Sequence, residues 1–208
     1  MIFRLRVAVI SPQGNSHSIS NQHKQHLFIQ AKAFRDAPLD CLRKLVAFKA
    51  DILKSLPSLL MDTATTVSAH DEFQTFHPKY VVSYGDTLTP VMRNYIETSL
   101  HCEVFDQYGM RETGVLATEC SRHDGMHINA GAILLEIVDE TGSPVTNGDE
   151  GRIIVTDLFN YNMPIIRYDT GDKGFFFPTA CTCGLNTRRL QLFGRTSEQL
   201  TLGEQKIN

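Results

Sequence analysis

The chain has 208 residues, of which 42% are hydrophobic and 21% are charged, a composition typical of an ordinary globular domain. Its formal net charge of −3 argues against a dedicated nucleic-acid binder, because such a protein carries a surplus of basic residues. No apolar run has the length of a membrane span, and the first ten residues contain two arginines in place of a signal-peptide apolar core. We therefore expect a cytoplasmic protein with neither a nucleic-acid nor a membrane partner.

Residues 1–118 alternate between strand and helix patterns. The runs 4–10, 79–84 and 103–106 are rich in β-branched and aromatic residues and predict strands. Apolar residues from Leu42 to Leu56 fall broadly at helical intervals, with a break left open near residues 47–50. This alternation predicts an α/β part with a parallel sheet and covering helices.

Residues 119–196 have a different pattern, dominated by short strands and turn signals. The predicted strands are residues 133–138, 152–158, 164–168, 174–177 and 189–193. We therefore expect a β-rich subdomain to follow the α/β part.

The pentapeptide Tyr-Gly-Met-Arg-Glu at residues 108–112 comes just after a predicted strand, where α/β sheets commonly bind ligands. Glycine permits a close backbone approach, and Glu112 offers the oxygen ligand that Mg²⁺ prefers. By itself the same pentapeptide is also compatible with a strand-to-helix turn that carries a buried tyrosine and a surface glutamate.

Residues 163–172 and the pair Gly194-Arg195 form two further motifs. Asp172 closes the first, and its carboxylate can accept hydrogen bonds from both hydroxyls of a ribose. A strand followed by a Gly-Asp turn is the simpler alternative. Arg195 carries a guanidinium that suits phosphate and ribose oxygens.

In this order, and with the segment 83–89, these motifs resemble the AMP-forming adenylate synthetases, most closely their phenylacetate–coenzyme A ligase and capsule-biosynthesis-like branch. The resemblance covers about residues 30 to 205. It implies ATP or AMP contacts from Gly85, Asp86, Tyr108, Gly109, Arg111, Asp172 and Arg195, with Glu112 holding Mg²⁺. Tyr108 would pack on adenine, Asp172 would bind the ribose, and Arg111 departs from the usual Thr or Ser.

The resemblance also implies an activity and its partners. Such an enzyme uses ATP to convert a carboxylic acid into an acyl-adenylate and then transfers the acyl group to coenzyme A; a homodimer is compatible with it. The chain carries no match to the family's phosphate loop or to its small-domain lysine. Residues 197–208 resemble the hinge between the family's two domains, with Ser197 at the hinge position, followed by the start of the small domain. We therefore expect an internal segment with no catalytic residue of its own and little activity alone. The alternative is a non-catalytic, zinc-stabilised nucleotide-binding or interaction module.

The five cysteines do not suggest a disulfide framework, because their number is odd and no secretory signal precedes them. Three thiolates and one imidazole make an ordinary closed zinc site. By resemblance to segments that recur in this branch, the structural zinc ligands are Cys120, His127, Cys181 and Cys183, with His123 as a competitor for the imidazole position. Unrelated buried thiols are the alternative explanation.

Overall fold

A computed structural model describes residues 5–12, 25–195, 200–202 and 205–207. The chain forms two compact units, Met1–Asp106 and Gln107–Asn208. From Gln107 onward, the strand that carries the Tyr108 motif pairs with residues 114–118, inside the second unit.

The first unit contains parallel strands and helices, as expected. Its strands are β1 Val7–Ser11, β2 His26–Gln30, β3 Ile52–Ser55, β4 Tyr80–Tyr84 and the start of β5 Glu103–Met110, and its helices are α1 Ala31–Asp36, α2 Pro38–Phe48, α3 Pro57–Ala69 and α4 Pro90–Leu100, with a 3₁₀ turn at Asp71–Phe73. The strand order is β2-β1-β3-β4-β5, and the pairs β1–β2, β1–β3 and β3–β4 are parallel.

The prediction of one helical pattern from Leu42 to Leu56 was wrong in its second half. Helix α2 ends at Phe48, the next residue, Lys49, caps it with a left-handed backbone (φ 53°), and residues 52–55 form a strand. In that strand Leu53 and Ser55 are fully buried, because β3 lies between β1 and β4. A short apolar run of this kind does not distinguish a buried strand from a helix by periodicity alone.

Helix α4 begins as its sequence predicts. The side chain of Thr89 accepts a hydrogen bond from the Met92 backbone N–H at 3.2 Å, and Pro90 occupies the first helical position. In the described part of the chain no helix is both long and apolar enough to cross a membrane.

The second unit is built of antiparallel strands. They are the end of β5, then β6 Gly114–Glu119, β7 Met126–Ile128, β8 Ile133–Val138, β9 Gly151–Asp157, β10 Tyr168–Phe176 and β11 Arg189–Arg195, followed by a small separate pair, β12 Leu200–Leu202 and β13 Gln205–Ile207. The order in the larger sheet is β5-β6-β7-β11-β10-β9-β8. The expectation of an α/β part followed by a β-rich part is therefore confirmed.

Two details of this unit differ from the sequence prediction. Residues 164–167 are not a strand, and the strand predicted at 174–177 is the second half of β10, which begins at Tyr168. The Thr170-Gly171 turn lies inside β10 as an irregularity, where the pairing with β9 shifts between Asp169 and Lys173. Gly171 has a positive φ of 77°, which accommodates the bend without closing the strand.

Candidate functional site

Tyr108, Asp172 and Arg195 lie together in the second unit. The Tyr108 hydroxyl donates a hydrogen bond to Asp172 Oδ2 at 2.5 Å, and Arg195 Nε lies 3.7 Å from Asp172 Oδ1. Tyr108 and Asp172 are both buried, whereas the Arg195 side chain is 63% exposed. The cluster thus has an enclosed carboxylate with a cation at its outer side.

Strand register explains why these three side chains meet. Asp172 of β10 is paired directly with Arg195 of β11, just before a bulge at Lys173. Tyr108 belongs to β5, and the strands β6, β7 and β11 separate β5 from β10 in the hydrogen-bonded order. The contact between Tyr108 and Asp172 therefore requires the sheet of this unit to curl back on itself.

The Asp172 carboxylate is held in one orientation by its surroundings. Its own backbone N–H donates to Thr170 Oγ1 at 3.1 Å, and its Oδ2 accepts from Tyr108. Burial raises the pKa of Tyr108 far above its ordinary value, and the Asp172 hydrogen bond acts in the same direction. The Tyr108 hydroxyl consequently stays protonated and donates a hydrogen bond at every physiological pH, and Asp172 Oδ1 is the oxygen turned towards the Arg195 guanidinium.

The rest of the Tyr108 motif lies in a hairpin. Tyr108 and Gly109 belong to strand β5 itself, which corrects the expectation of a motif beyond the strand, and Arg111 and Glu112 are exposed in the turn that leads to β6. A Cβ atom on Gly109 would lie 2.6 Å from the Gly114 carbonyl oxygen. Glycine at this position therefore serves the close approach of the hairpin's own two strands.

Gly85 and Asp86 lie in the first unit, in the connection between β4 and α4. Both are exposed, and Gly85 has a φ of 87°, in the left-handed region that favours glycine. A Cβ on Gly85 would lie 2.7 Å from a methyl group of Leu56. The predicted hinge residue Ser197 lies outside the described residues.

The second cluster of the site is formed by Cys120, His127, Cys181 and Cys183. Their ligand atoms all lie within 4.8 Å of one another. Cys120 Sγ is 3.8 Å from Cys181 Sγ, and Cys183 Sγ is 3.3 Å from His127 Nε2. The structure thus brings together the four side chains chosen from the sequence.

These spacings fit a tetrahedral zinc ion. With Zn–S bonds of about 2.3 Å and Zn–N bonds of about 2.0–2.1 Å, tetrahedral geometry requires separations of about 3.8 Å between two sulfurs and about 3.5 Å between sulfur and nitrogen. The observed 3.8 Å and 3.3 Å agree with those values. The donor set and its size therefore suit zinc.

The orientation of His127 also fits a metal ligand. Its Nδ1 lies 3.2 Å from the Thr187 carbonyl oxygen and 3.0 Å from Thr187 Oγ1. A proton on Nδ1 donated to the carbonyl leaves Nε2 unprotonated and directed at the cysteines, the arrangement usual for metal-bound histidines. Sequence reasoning missed Thr187, because nothing in the local pattern links it to a histidine 60 positions away.

His123, the competitor, has a different partner. Its Nδ1 lies 3.2 Å from Glu119 Oε2, and it is not one of the four clustered side chains. Its backbone is left-handed (φ 49°), so it turns the chain between Cys120 and His127. The geometry thus places His127, and not His123, with the three cysteines, which is the choice that the sequence left open.

The thiols have unequal proton affinities. The backbone N–H of Cys183 lowers the pKa of Cys181 to about 6, and His127 and the neighbouring thiols act in the same direction. Burial raises the pKa of Cys120. Since a metal binds thiolates, Cys181 is more readily available than Cys120 at neutral pH.

No protein-family model matches the chain, but individual proteins do. A phenylacetate–coenzyme A ligase from Thermus thermophilus is 34% identical over 130 residues, covering 60% of this chain and 29% of that protein. Protein CapK from Staphylococcus aureus is 25% identical over 132 residues, covering 64% of this chain and 28% of that protein. The matched segments thus span less than a third of the length of these two curated relatives.

Solved structures agree with the sequence relatives. A 2-hydroxyisobutyryl-CoA ligase in complex with 2-HIB-AMP and CoA has a TM-score of 0.80 at 20% identity, and the match covers 100% of this chain and 52% of that one. At this identity the likeness shows the fold. The resemblance to the phenylacetate–coenzyme A ligase and capsule-biosynthesis-like branch, and the fold expected from it, are confirmed.

Proposed function

We propose that this chain, related in sequence to the phenylacetate–coenzyme A ligases, is the AMP-binding segment of an AMP-forming acid–coenzyme A ligase. The complete enzyme would convert a carboxylic acid and ATP into an acyl-adenylate and then form a thioester with coenzyme A. The relatives named above support the reaction class. The cluster of Tyr108, Asp172 and Arg195 supports the placement of the nucleotide in this chain.

The role of each cluster residue follows from its chemistry. Asp172 Oδ1, which is not engaged by Tyr108, accepts a hydrogen bond from a ribose hydroxyl. Arg195, mostly exposed beside it, offers further N–H groups to ribose or phosphate oxygens. The Tyr108 hydroxyl fixes the carboxylate, and its ring, which is largely buried, is proposed by resemblance to contact adenine.

The exposed turn of the β5–β6 hairpin supplies the proposed magnesium ligand. Glu112 offers a carboxylate of the kind Mg²⁺ uses together with phosphate oxygens. Arg111, next to it, adds a cation that binds phosphate in place of the usual hydroxyl. Gly85 and Asp86, in the first unit, are proposed as adenine contacts only by resemblance of the segment 83–89.

The four-ligand centre is proposed to hold a structural zinc ion. Four protein ligands complete a tetrahedral shell and leave no open position for a substrate. The ion would join the β6–β7 connection to the β10–β11 connection, and its binding energy would contribute to the folding of this unit.

Calorimetric titration of the chain with AMP tests the nucleotide assignment. We expect Asp172→Asn to weaken binding tenfold or more, because a hydrogen bond to a charged group contributes about 1.5–3 kcal/mol. Asp169→Asn is the matched control, since Asp169 lies on the same strand but is exposed and paired with Arg152. Equal affinity in the wild type and Asp172→Asn, or no AMP binding by the wild type, would overturn the assignment.

A further inference from the structure

Arg189 is a buried arginine at the start of β11, and neither the nucleotide cluster nor the metal ligands account for it. Its side chain is 4% exposed. Its backbone is paired directly with that of His127 across strands β11 and β7. A guanidinium in such a position must be compensated by fixed partners, because a buried unpaired charge is strongly destabilising.

The partners of Arg189 lie in two loops: the β6–β7 loop, which contains Cys120 and leads into His127 of β7, and the β10–β11 loop, which contains Cys181 and Cys183. Nη1 donates to the Asp124 carbonyl oxygen at 2.6 Å and to Asp124 Oδ2 at 2.5 Å. Nη2 donates to the Thr179 carbonyl oxygen at 3.2 Å. Asp124 lies between Cys120 and His127, and Thr179 lies two residues before Cys181.

One planar group therefore bridges the two loops that contain Cys120, Cys181 and Cys183. The two terminal nitrogens of a guanidinium have a fixed separation. Because each nitrogen bonds to a different loop, the guanidinium sets the distance between the two loops. The Phe177 ring, with its centroid 4.3 Å from Cζ, limits the movement of the guanidinium. That ring also lies against Gly125, where a Cβ would come within 2.5 Å of it.

We propose that Arg189 is the positioning residue of the metal centre, holding Cys120 and His127 at the spacing from Cys181 and Cys183 that a tetrahedral ion requires. The inference rests on the zinc centre proposed above. Outer residues that orient metal ligands typically contribute 10–100-fold to metal affinity. Arg189 would act in this way through the backbone of both loops.

Arg188 provides a matched comparison, since it is the neighbouring residue and also lies over an aromatic ring. Its guanidinium contacts Phe176, 3.5 Å from the ring centroid, and donates to Asn147, outside both ligand loops. An effect specific to the bridge should appear at Arg189 and be absent at Arg188.

The experiment measures zinc affinity by competition with a chromogenic chelator, on proteins whose folding is verified by circular dichroism. Arg189→Lys keeps the charge but loses the fork that reaches two loops, so we expect zinc affinity to fall tenfold or more. Asp124→Ala, at a side chain that is 63% exposed, removes the carboxylate partner of Nη1 but keeps its bond to the carbonyl oxygen of residue 124, so it should weaken zinc binding less than Arg189→Lys does. Arg188→Lys should bind zinc as the wild type does.

The outcomes separate the two proposals. Wild-type zinc affinity in both Arg189→Lys and Asp124→Ala would overturn the positioning role while leaving the metal centre intact. A wild-type chain that binds no zinc would overturn the metal centre itself. The deficit of Arg189→Lys in the unfolding midpoint should be smallest in zinc-free protein and should grow as zinc is added, because a variant that binds zinc more weakly gains less stability from it. A purely structural arginine would leave the deficit unchanged at every zinc concentration.

Discussion

The Tyr108 hydroxyl lies 2.5 Å from Asp172 Oδ2, although 64 positions separate the two residues in the chain. The bond joins β5 to β10, and these two strands are not neighbours in the sheet. It therefore fixes the curvature of that unit at the point where the nucleotide is proposed to bind.

We expect Tyr108→Phe to lower the free energy of unfolding by about 1.5–3 kcal/mol, because a buried carboxylate loses a hydrogen-bond donor while the ring is retained. Urea titration gives the measurement. Tyr161→Phe is the control, since Tyr161 is 83% exposed and its hydroxyl should contribute little. Equal losses in the two variants would show that the Tyr108–Asp172 bond adds nothing to stability.

Gly109→Ala should destabilise the chain by about 1–3 kcal/mol, because the new methyl group would meet a backbone carbonyl that cannot move aside as a side chain can. Gly131→Ala is a suitable comparison, as a Cβ at Gly131 meets nothing within 4 Å. Thermal unfolding distinguishes the two. Identical melting temperatures would mean that the β5–β6 hairpin widens without cost.

Thiol labelling and metal analysis should report the zinc centre together. We expect about one zinc per chain and slow labelling of the metal-loaded protein at neutral pH. A chelator should then expose the three cysteines of the centre, while the remaining two stay slow. Cys41 is buried, and burial raises the pKa of Cys102 to about 12.

In denaturant, the number of labelled thiols should rise to five, which is every cysteine of the chain. In Cys102→Ser the chelator-dependent count should stay at three, whereas Cys183→Ser should lose zinc. Rapid labelling of three thiols before any chelator is added would be incompatible with a bound metal.

Asp51 should make the stability of the first unit depend on pH in the acid range. The Arg6 backbone N–H, at 2.8 Å, and the Lys79 ammonium, at 2.9 Å, lower the pKa of the Asp51 carboxyl. A lowered folded-state pKa gives stability that is present above the ordinary value of 3.8 and lost as the pH falls below it.

Asp51→Asn should therefore be less stable than the wild type at pH 7, by about 1 kcal/mol, and the difference should shrink below about pH 4. Urea titrations from pH 3 to 7 provide the comparison, with the exposed Asp62→Asn as control. A difference that stays constant across this range would assign the effect to packing instead of charge.

The sequence was sufficient to select the residues of both clusters, because their motifs carry chemistry in a recognisable order. It did not reveal the Tyr108–Asp172 bond, since the register and curl of a sheet depend on distant pairings. Nor did it indicate Arg189, whose partners lie 65 and 10 positions away and form no local pattern.

The errors in secondary structure have local causes. The segment 52–55 is too short for its apolar residues to distinguish a strand from a helix. Gly171 and Gly174 made one irregular strand resemble two, because glycine is a turn signal in sequence but here accommodates a bend and a close approach within β10. Boundaries were therefore less predictable than the presence of the elements.

The ligands of the metal centre are far apart in the order of synthesis, with 61 positions between Cys120 and Cys181. At ribosomal rates of about 5–20 residues per second, Cys181 is made roughly 3 to 12 seconds after Cys120. Strands β7, β8, β9 and β10 are made in that interval. The first unit can thus fold on the ribosome while the second waits for its last ligands. If the proposed zinc ion is needed to fold the second unit, chains made without zinc would be folded in their first unit alone.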